Sequence, residues 1–302
     1  MSTILISGGS GLIGSTLVPM LRDAGHQVRI IGRSARRNSE VPSFKWDIGR
    51  MTMDGTALDG VTHIIHLAGA GIADSRWTTS RKQEILESRV MPMKLLADTL
   101  TKRGQKLDAF ITASGIGYYG AVTSEHIYKE DDAPADDFLG KTCQLWEDAV
   151  RLFDGIAARE ARIRTGVVLD TNGGALPKLM MPAKFGLAAS LGSGKQWMPW
   201  IHIHDICRIY LKAVDDIGFQ GAFNAVAPEH ATQKQLLAGI SAAIGKPFFL
   251  PGVPSLALKL AMGEMARMLT EGSRVSAQKL LDAGFAFEHP DLKPALRVLL
   301  GK

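Results

Sequence analysis

Three glycines recur every third residue near the start of the chain, at Gly8, Gly11 and Gly14 in the run GGSGLIG. The apolar run Ile4-Leu5-Ile6 leads straight into them, and a periodic apolar segment opens after them at Leu12, Ile13, Leu17, Val18 and Leu21. That order predicts a strand, a tight turn and a helix. Glycine suits a turn of unusual φ and lets backbone press close to a ligand or a neighbouring element. A helix beginning there offers unpaired N–H groups and the positive end of its dipole, a ready site for phosphate. The chemistry implied is the holding of a dinucleotide by its diphosphate.

The next strand bears on which dinucleotide. Residues 26–31 predict strand two, ending at Gly32-Arg33. NAD-binding sites place an acidic residue about 20 residues past the glycines, on the ribose 2′-OH. None stands here; Arg33, Ser34, Arg36 and Arg37 follow instead. Guanidinium pairs with phosphate in a fork, so Arg33 and Arg37 favour a 2′-phosphate, and NADP(H) is expected over NAD(H). The plain alternative is a solvated basic loop, which needs no ligand.

The elements that must position these residues alternate along the first 169 positions. Strands are predicted over 61–67, 108–113 and 161–169, and helices over 80–102 and 138–158, the first opened by a Ser80/Gln83 capping box. Alternation of this kind gives an α/β fold, a doubly wound parallel sheet of Rossmann type. Residues 170–200 read as loops around short helices inserted in the main domain. A strand at 223–226, a helix from the Thr232/Gln235 capping box to Ile244, an apolar helix within Val253–Leu269 and a final helix over 292–299 complete the chain. The expected division is a dinucleotide domain over 1–240 and a small, mostly helical lobe over 241–302. The lobe would close a substrate cleft at the C-terminal edge of the sheet, where open α/β sheets bind ligands.

Composition excludes several classes. The 302 residues are 46% hydrophobic and 22% charged, as in an ordinary globular protein. A net charge of +5, scattered without a basic stripe, argues against nucleic acid as a partner. Two cysteines, Cys143 and Cys207, form no disulfide framework, and the cytoplasm is the expected compartment. The strand predicted within a few residues of Met1 leaves no room for a signal peptide. Lys259, Glu264 and Arg267 interrupt the longest apolar stretch, so no membrane span is expected. His202, His204 and Asp205 offer at most a partial metal site without a third strong ligand nearby, and no metal is expected.

Several motifs resemble those of the extended short-chain dehydrogenase/reductases. GGSGLIG resembles their cofactor turn, HLAGAG their fourth-strand motif, Ser114 with Tyr118-Tyr119-Gly120 their catalytic-serine strand, and WIHIHD their late cofactor–substrate junction. Arg76-Trp77, Lys82, Ser88-Arg89, Trp146-Glu147 and GSGKQWMPWIHIHD are similar to the atypical subfamily of "epimerase family" proteins, over nearly the whole chain. The resemblance implies an NADP(H) site from Gly8, Gly11, Leu12, Ile13, Gly14, Arg33, Arg37, Leu67, Ala68, Gly69, Ala70 and Ser114. It implies a cleft lined by Arg76, Trp77, Trp200 and His202, and homodimerisation through the two long helices.

One departure stands out. These enzymes carry an acid/base Tyr with a Lys four residues on and, in related members, a Glu four further. Anchored on Glu147, the Lys position holds Cys143 and the Tyr position holds Leu139. Leucine carries no proton, and an uncharged thiol does not lower a neighbour's pKa. Lys141 points to another helix face. Ser114, Tyr118 and Tyr119 are the remaining catalytic candidates, against a structural role for each tyrosine. Two functions stay open: an NADP(H)-dependent oxidoreductase or epimerase acting on a small substrate, and a non-catalytic NADP(H) sensor or scaffold, with some relatives linked by resemblance to cell division.

Overall fold

A computed structural model describes residues 1–35 and 40–301. Among the strands are β1 (Thr3–Ser7), β2 (Gln27–Gly32), β3 (Ser43–Asp47), β4 (Thr52–Met53), β5 (His63–His66), β6 (Leu107–Gly115), β7 (Ala157–Thr165), β8 (Val167–Asp170), β9 (Trp200–His202) and β10 (Gly221–Ala225). Eight of them form one sheet in the order β10-β7-β6-β5-β1-β2-β3-β4, parallel except where β4 turns back on β3. Side chains alternate across a strand, and both faces of this sheet are covered. Ile4, Ile6, Ile65 and Ile111 enter one core beneath the helices α1 (Leu12–Asp23) and α5 (Ile203–Asp215). Leu5, Ile64 and Phe110 enter the other, beneath α2 (Thr79–Arg103) and α3 (Phe138–Asp148). The helices on two faces and the parallel order make this a Rossmann-like fold.

A third core joins residues from both sides of the expected boundary at 240. Leu169 and Trp200, from the parallel pair β8 and β9, pack with Leu176 of α4 (Ala175–Lys184), Leu236 and Ile240 of α6 (Gln233–Ala243), and Leu292 and Leu296. The last two belong to the final helix, Leu292–Leu300, which lies against α6. The Thr232/Gln235 capping box forms as the sequence predicts. Among the described residues, no helix is long and apolar enough to cross a membrane.

Some boundaries differ from the sequence reading, each for a local reason. Helix α2 starts earlier, because Thr78 is its cap and accepts from the Arg81 N–H at 3.2 Å. Helix α3 stops at Asp148, continues as a 3-10 turn over Ala149–Phe153 and breaks at Asp154-Gly155, so β7 begins at Ala157. The Val253–Leu269 stretch is two helices, α7 (Ser255–Met262) and α8 (Arg267–Thr270), separated at Gly263. Short β3 and β4 form the sheet edge beyond β2.

Candidate functional site

The glycine turn lies at the C-terminal edge of the sheet. Gly8 has φ +73°, and a Cβ there would stand 2.9 Å from the Ala68 nitrogen. At Gly14 a Cβ would stand 2.5 Å from the Gly8 carbonyl oxygen, so helix and turn touch backbone to backbone. Gly11 caps α1 without a side chain, and its N–H donates to the Gly8 carbonyl at 2.9 Å. The first-turn N–H groups that follow, at Leu12, Ile13 and Gly14, have no intrahelical acceptor. Registers Ser7↔Ile31 and Ser7↔His66 bring the ends of β2 and β5 to either side of this turn. Arg33 is therefore exposed just past β2, beside the turn. Arg36 and Arg37 lie outside the described residues.

A buried relay fixes the segment Leu67-Ala68-Gly69-Ala70. His66 Nε2 lies 3.0 Å from the Arg89 carbonyl oxygen, which only accepts, so Nε2 carries the hydrogen. Nδ1 then accepts from the Ser7 hydroxyl at 2.6 Å, and Ser7 Oγ accepts from the Ala68 N–H at 3.4 Å. Burial pushes the His66 pKa down to about 4, which keeps this neutral tautomer. The Ala70 N–H donates to Ser88 Oγ at 2.9 Å.

Ser114 sits at the end of β6 with its hydroxyl already committed. It donates to Glu147 Oε1 at 2.7 Å, and Glu147 is held on both oxygens by Arg164, at 2.8 and 2.9 Å. Both partners are buried, at 5% and 3% exposure. Arg164 also donates to the Tyr119 hydroxyl at 2.8 Å, and that hydroxyl donates to Asn224 Oδ1 at 2.7 Å. Burial drives the Tyr119 phenol well above its ordinary range, against the pull of Arg164. Tyr119 is thus a buried link between β7 and β10. Tyr118 is half-buried, its ring 3.5 Å from the Arg164 guanidinium carbon, and burial raises its pKa as well.

Leu139 and Cys143 are one turn apart on α3 and face the loop after Ser114. A Cβ at Gly117 would stand 3.2 Å from Leu139 Cβ and 3.7 Å from Cys143 Sγ. Burial, then the charge of Glu147, pushes the Cys143 thiol up to about 12, so it stays neutral. Lys141 is exposed on the other face.

The four cleft candidates separate. Trp77 lines a small pocket with Phe138 and Leu139, opposite Glu264, Arg267 and Met268 from the lobe. Its indole N–H donates to the Ile72 carbonyl at 2.8 Å. Arg76 donates to the carbonyls of Leu260 and Ala261 at the end of α7, tying the loop after β5 to the lobe. Trp200 has 0% exposure, enclosed in the third core, and presents no face to that pocket. His202 is buried as the cap of α5, its Nδ1 accepting from the His204 N–H at 3.1 Å and its ring 3.7 Å from that of His289. A cavity of about 410 Å³ opens far from all of these, between the N-terminal ends of β7 and β10.

Arg164 escaped a search by motif, and His66 and Arg89 entered only within the HLAGAG and Ser88-Arg89 motifs, with no role of their own. Arg89 had a legible signal: it follows Ile85 by four positions and precedes Leu96 by seven, on the apolar stripe of α2. Arg164 had none, since its partners Glu147, Glu130 and Tyr119 lie 17, 34 and 45 residues away.

A family model described as "NAD dependent epimerase/dehydratase family" matches residues 4–144, and "Domain of unknown function (DUF1731)" matches residues 253–299. Human "Epimerase family protein SDR39U1" is 34% identical over 305 residues, covering 98% of this chain and 99% of its own. "Epimerase family protein YfhF" of Bacillus subtilis is 34% identical over 300 residues, covering 98% and 97%. The chain belongs to this epimerase family. The crystal structure of the human family member (isoform 2) with NADPH matches with a TM-score of 0.88 at 31% identity over 99% of both chains. A nucleoside-diphosphate sugar epimerase from Corynebacterium glutamicum matches at 0.78 and 30% identity, over 99% of this chain and 58% of that one.

Proposed function

We propose that this epimerase-family chain is an NADP(H)-binding protein that positions the cofactor for hydride exchange with a small substrate. The observation that carries the reading is the glycine turn: a Cβ at Gly8 or Gly14 would strike the backbone of Ala68 or of the turn itself, so only glycine lets β1, the turn and α1 close this tightly, and three helix-start N–H groups open beside it. The human relative's crystallisation with NADPH supports the same cofactor. Gly8, Gly11, Leu12, Ile13 and Gly14 would hold the diphosphate, Leu67 to Ala70 would wall the adenosine side, and Arg33 with Arg37 would meet the 2′-phosphate. The cofactor, when bound, supplies the hydride. Trp77 would face the substrate side, where Arg76 ties the loop after β5 to the end of α7.

Proton transfer falls to Tyr118 in this reading. Ser114 gives its hydrogen to Glu147, and Tyr119 gives its own to Asn224. The same two commitments, with Leu139 and Cys143 at the usual acid/base positions, favour a second reading: a sensor or scaffold that binds NADP(H) without turnover.

A fluorescence titration with NADPH and, in parallel, NADH tests the binding. Tight NADPH and weak NADH binding are expected; binding of neither overturns both readings. Arg33→Ala with Arg37→Ala should weaken NADPH far more than NADH, and equal weakening would remove the arginines from the 2′-phosphate. A carbonyl panel then separates enzyme from sensor. NADPH oxidation that Tyr118→Phe abolishes supports the enzyme; no oxidation with tight binding supports the sensor.

A further inference from the structure

A narrow seam separates Trp77 and the start of α3 from the turn that follows α7. Trp77, Phe138, Leu139 and Met268 give it apolar walls, and Trp77 meets the Phe138 ring edge-on, with centroids 4.9 Å apart. The Lys82 ammonium stands over the same Phe138 ring, 4.9 Å from its centroid, and Arg267 borders the seam. The space left inside is about 10 Å³, room for one water at most. A ligand enters only where a side chain gives way.

Glu264 is the side chain placed to do so. It reaches across from the 3-10 turn Gly263–Ala266, and its carboxylate accepts from Lys82 Nζ at 2.5 Å. The two side chains are 45% and 30% exposed, so the glutamate can swing into solvent by changing rotamer. Partly exposed ion pairs contribute little, and a ligand that brings its own anion replaces this one at small cost. Lys82 keeps its place over Phe138 when Glu264 leaves, because an ammonium is attracted to an aromatic face. Arg267 is paired in the same exchangeable way, with Glu271 at 3.1 Å. Asp137 also lines the seam, but its oxygens are taken by the N–H groups of Gly140 at 2.9 Å and Ala121 at 3.2 Å.

We propose that Lys82 is the anion receptor of the substrate site, with Arg267 on the same seam, and that Glu264 holds the place of a substrate carboxylate. The substrate class is then a flat, apolar carbonyl compound that bears a carboxylate. Its ring lies against Trp77, Phe138 and Leu139, and its acid pairs with Lys82. The assignment rests on the NADP(H) reading above, which places the substrate beside Trp77.

The test titrates two aromatic ketones of one shape, para-acetylbenzoate and the neutral para-acetylbenzamide, by calorimetry. The protein is saturated with NADP⁺, so that no ketone is reduced. Wild type should bind the acid more tightly than the amide. Lys82→Met should weaken the acid about tenfold and leave the amide unchanged, and Lys82→Arg should restore part of the loss. Glu264→Gln, which removes the competing carboxylate, should tighten the acid about two- to fivefold. NADPH affinity should be the same in all three variants. An acid bound no more tightly by Glu264→Gln than by wild type overturns the proposal, and so does an equal effect of Lys82→Met on both ketones, the mark of a latch that only holds the seam shut. Binding of neither ketone to wild type or to Glu264→Gln overturns it as well. Failure of the wild type to bind NADP⁺ or NADPH is read before any ketone is added, and overturns the underlying reading.

Discussion

A hydroxyl has one hydrogen to give, and at this site most are already given. Ser114 and Glu147 are the clearest case, because the carboxylate is shared with a buried guanidinium. Glu147→Gln would leave Arg164 buried without its charge partner, and the expected loss of stability is about 3–5 kcal/mol. Urea unfolding measures it; a loss below about 1 kcal/mol, the range of an exposed pair, would show that the network is not the anchor described. His66 gives a second residue-scale prediction. Its pKa is held down at about 4, so the folded chain prefers the neutral ring. The stability it contributes is complete above the ordinary histidine value near 6.5 and is lost as pH falls towards 4. Protonation puts a hydrogen on Nδ1, where Ser7 now donates. Between pH 7 and pH 4 this one residue should remove about 3 kcal/mol. Midpoints of wild type and His66→Asn should therefore converge as pH is lowered, and parallel curves would sink the assignment.

At the scale of elements, the glycine turn is where local sequence and tertiary contact agree. Gly14→Ala places a methyl carbon 2.5 Å from the Gly8 oxygen and 2.6 Å from the Gly9 Cα, both backbone atoms. Neither can rotate away, so α1 must lift from the turn. A loss of about 1–3 kcal/mol is expected, the ordinary cost of overpacking. NADPH affinity should fall with it, because the N–H groups move off their aim; retained affinity in a folded Gly14→Ala chain would separate the turn from the ligand. This element was legible because strand, glycines and amphipathic helix are contiguous. The capping box at Thr232 was legible for the same reason, since four residues contain the whole signal. The end of α3 was not. Its apolar pattern runs on through Val150 and Phe153, which stay buried while the backbone tightens into a 3-10 turn. Strand β3 was missed because five residues, three of them half-buried, carry too few alternations to stand out.

For the whole molecule, the difficulty of reading the site grows with sequence separation. The residues that hold the lobe to the sheet show this best. The WIHIHD run attracts attention for its histidines, yet it is Asp205 that carries the assembly. Asp205 is fully buried and accepts the N–H groups of Glu288 and His289, each at 2.9 Å, with Arg208 at 3.2 Å beside it. Arg208 reaches on to the Ala286 carbonyl at 2.7 Å. One side chain thus joins the start of α5 to a segment more than eighty residues later, just before the final helix that packs on α6. Nothing in the spacing of Asp205 announces that partner, because the partner is backbone and carries no residue signature. Asp205→Ala would leave two backbone donors buried without an acceptor and take one acceptor from Arg208. Each unmet donor costs about 1–3 kcal/mol, so a total near 3 kcal/mol is expected by urea unfolding. Because the broken contact lies at the join, the segment over 284–291 should also become the first site cut by limited proteolysis. NADPH affinity should change little, since α1 and its turn keep their own contacts with the sheet. A variant as stable and as protease-resistant as wild type would show that the final helix holds the segment without Asp205.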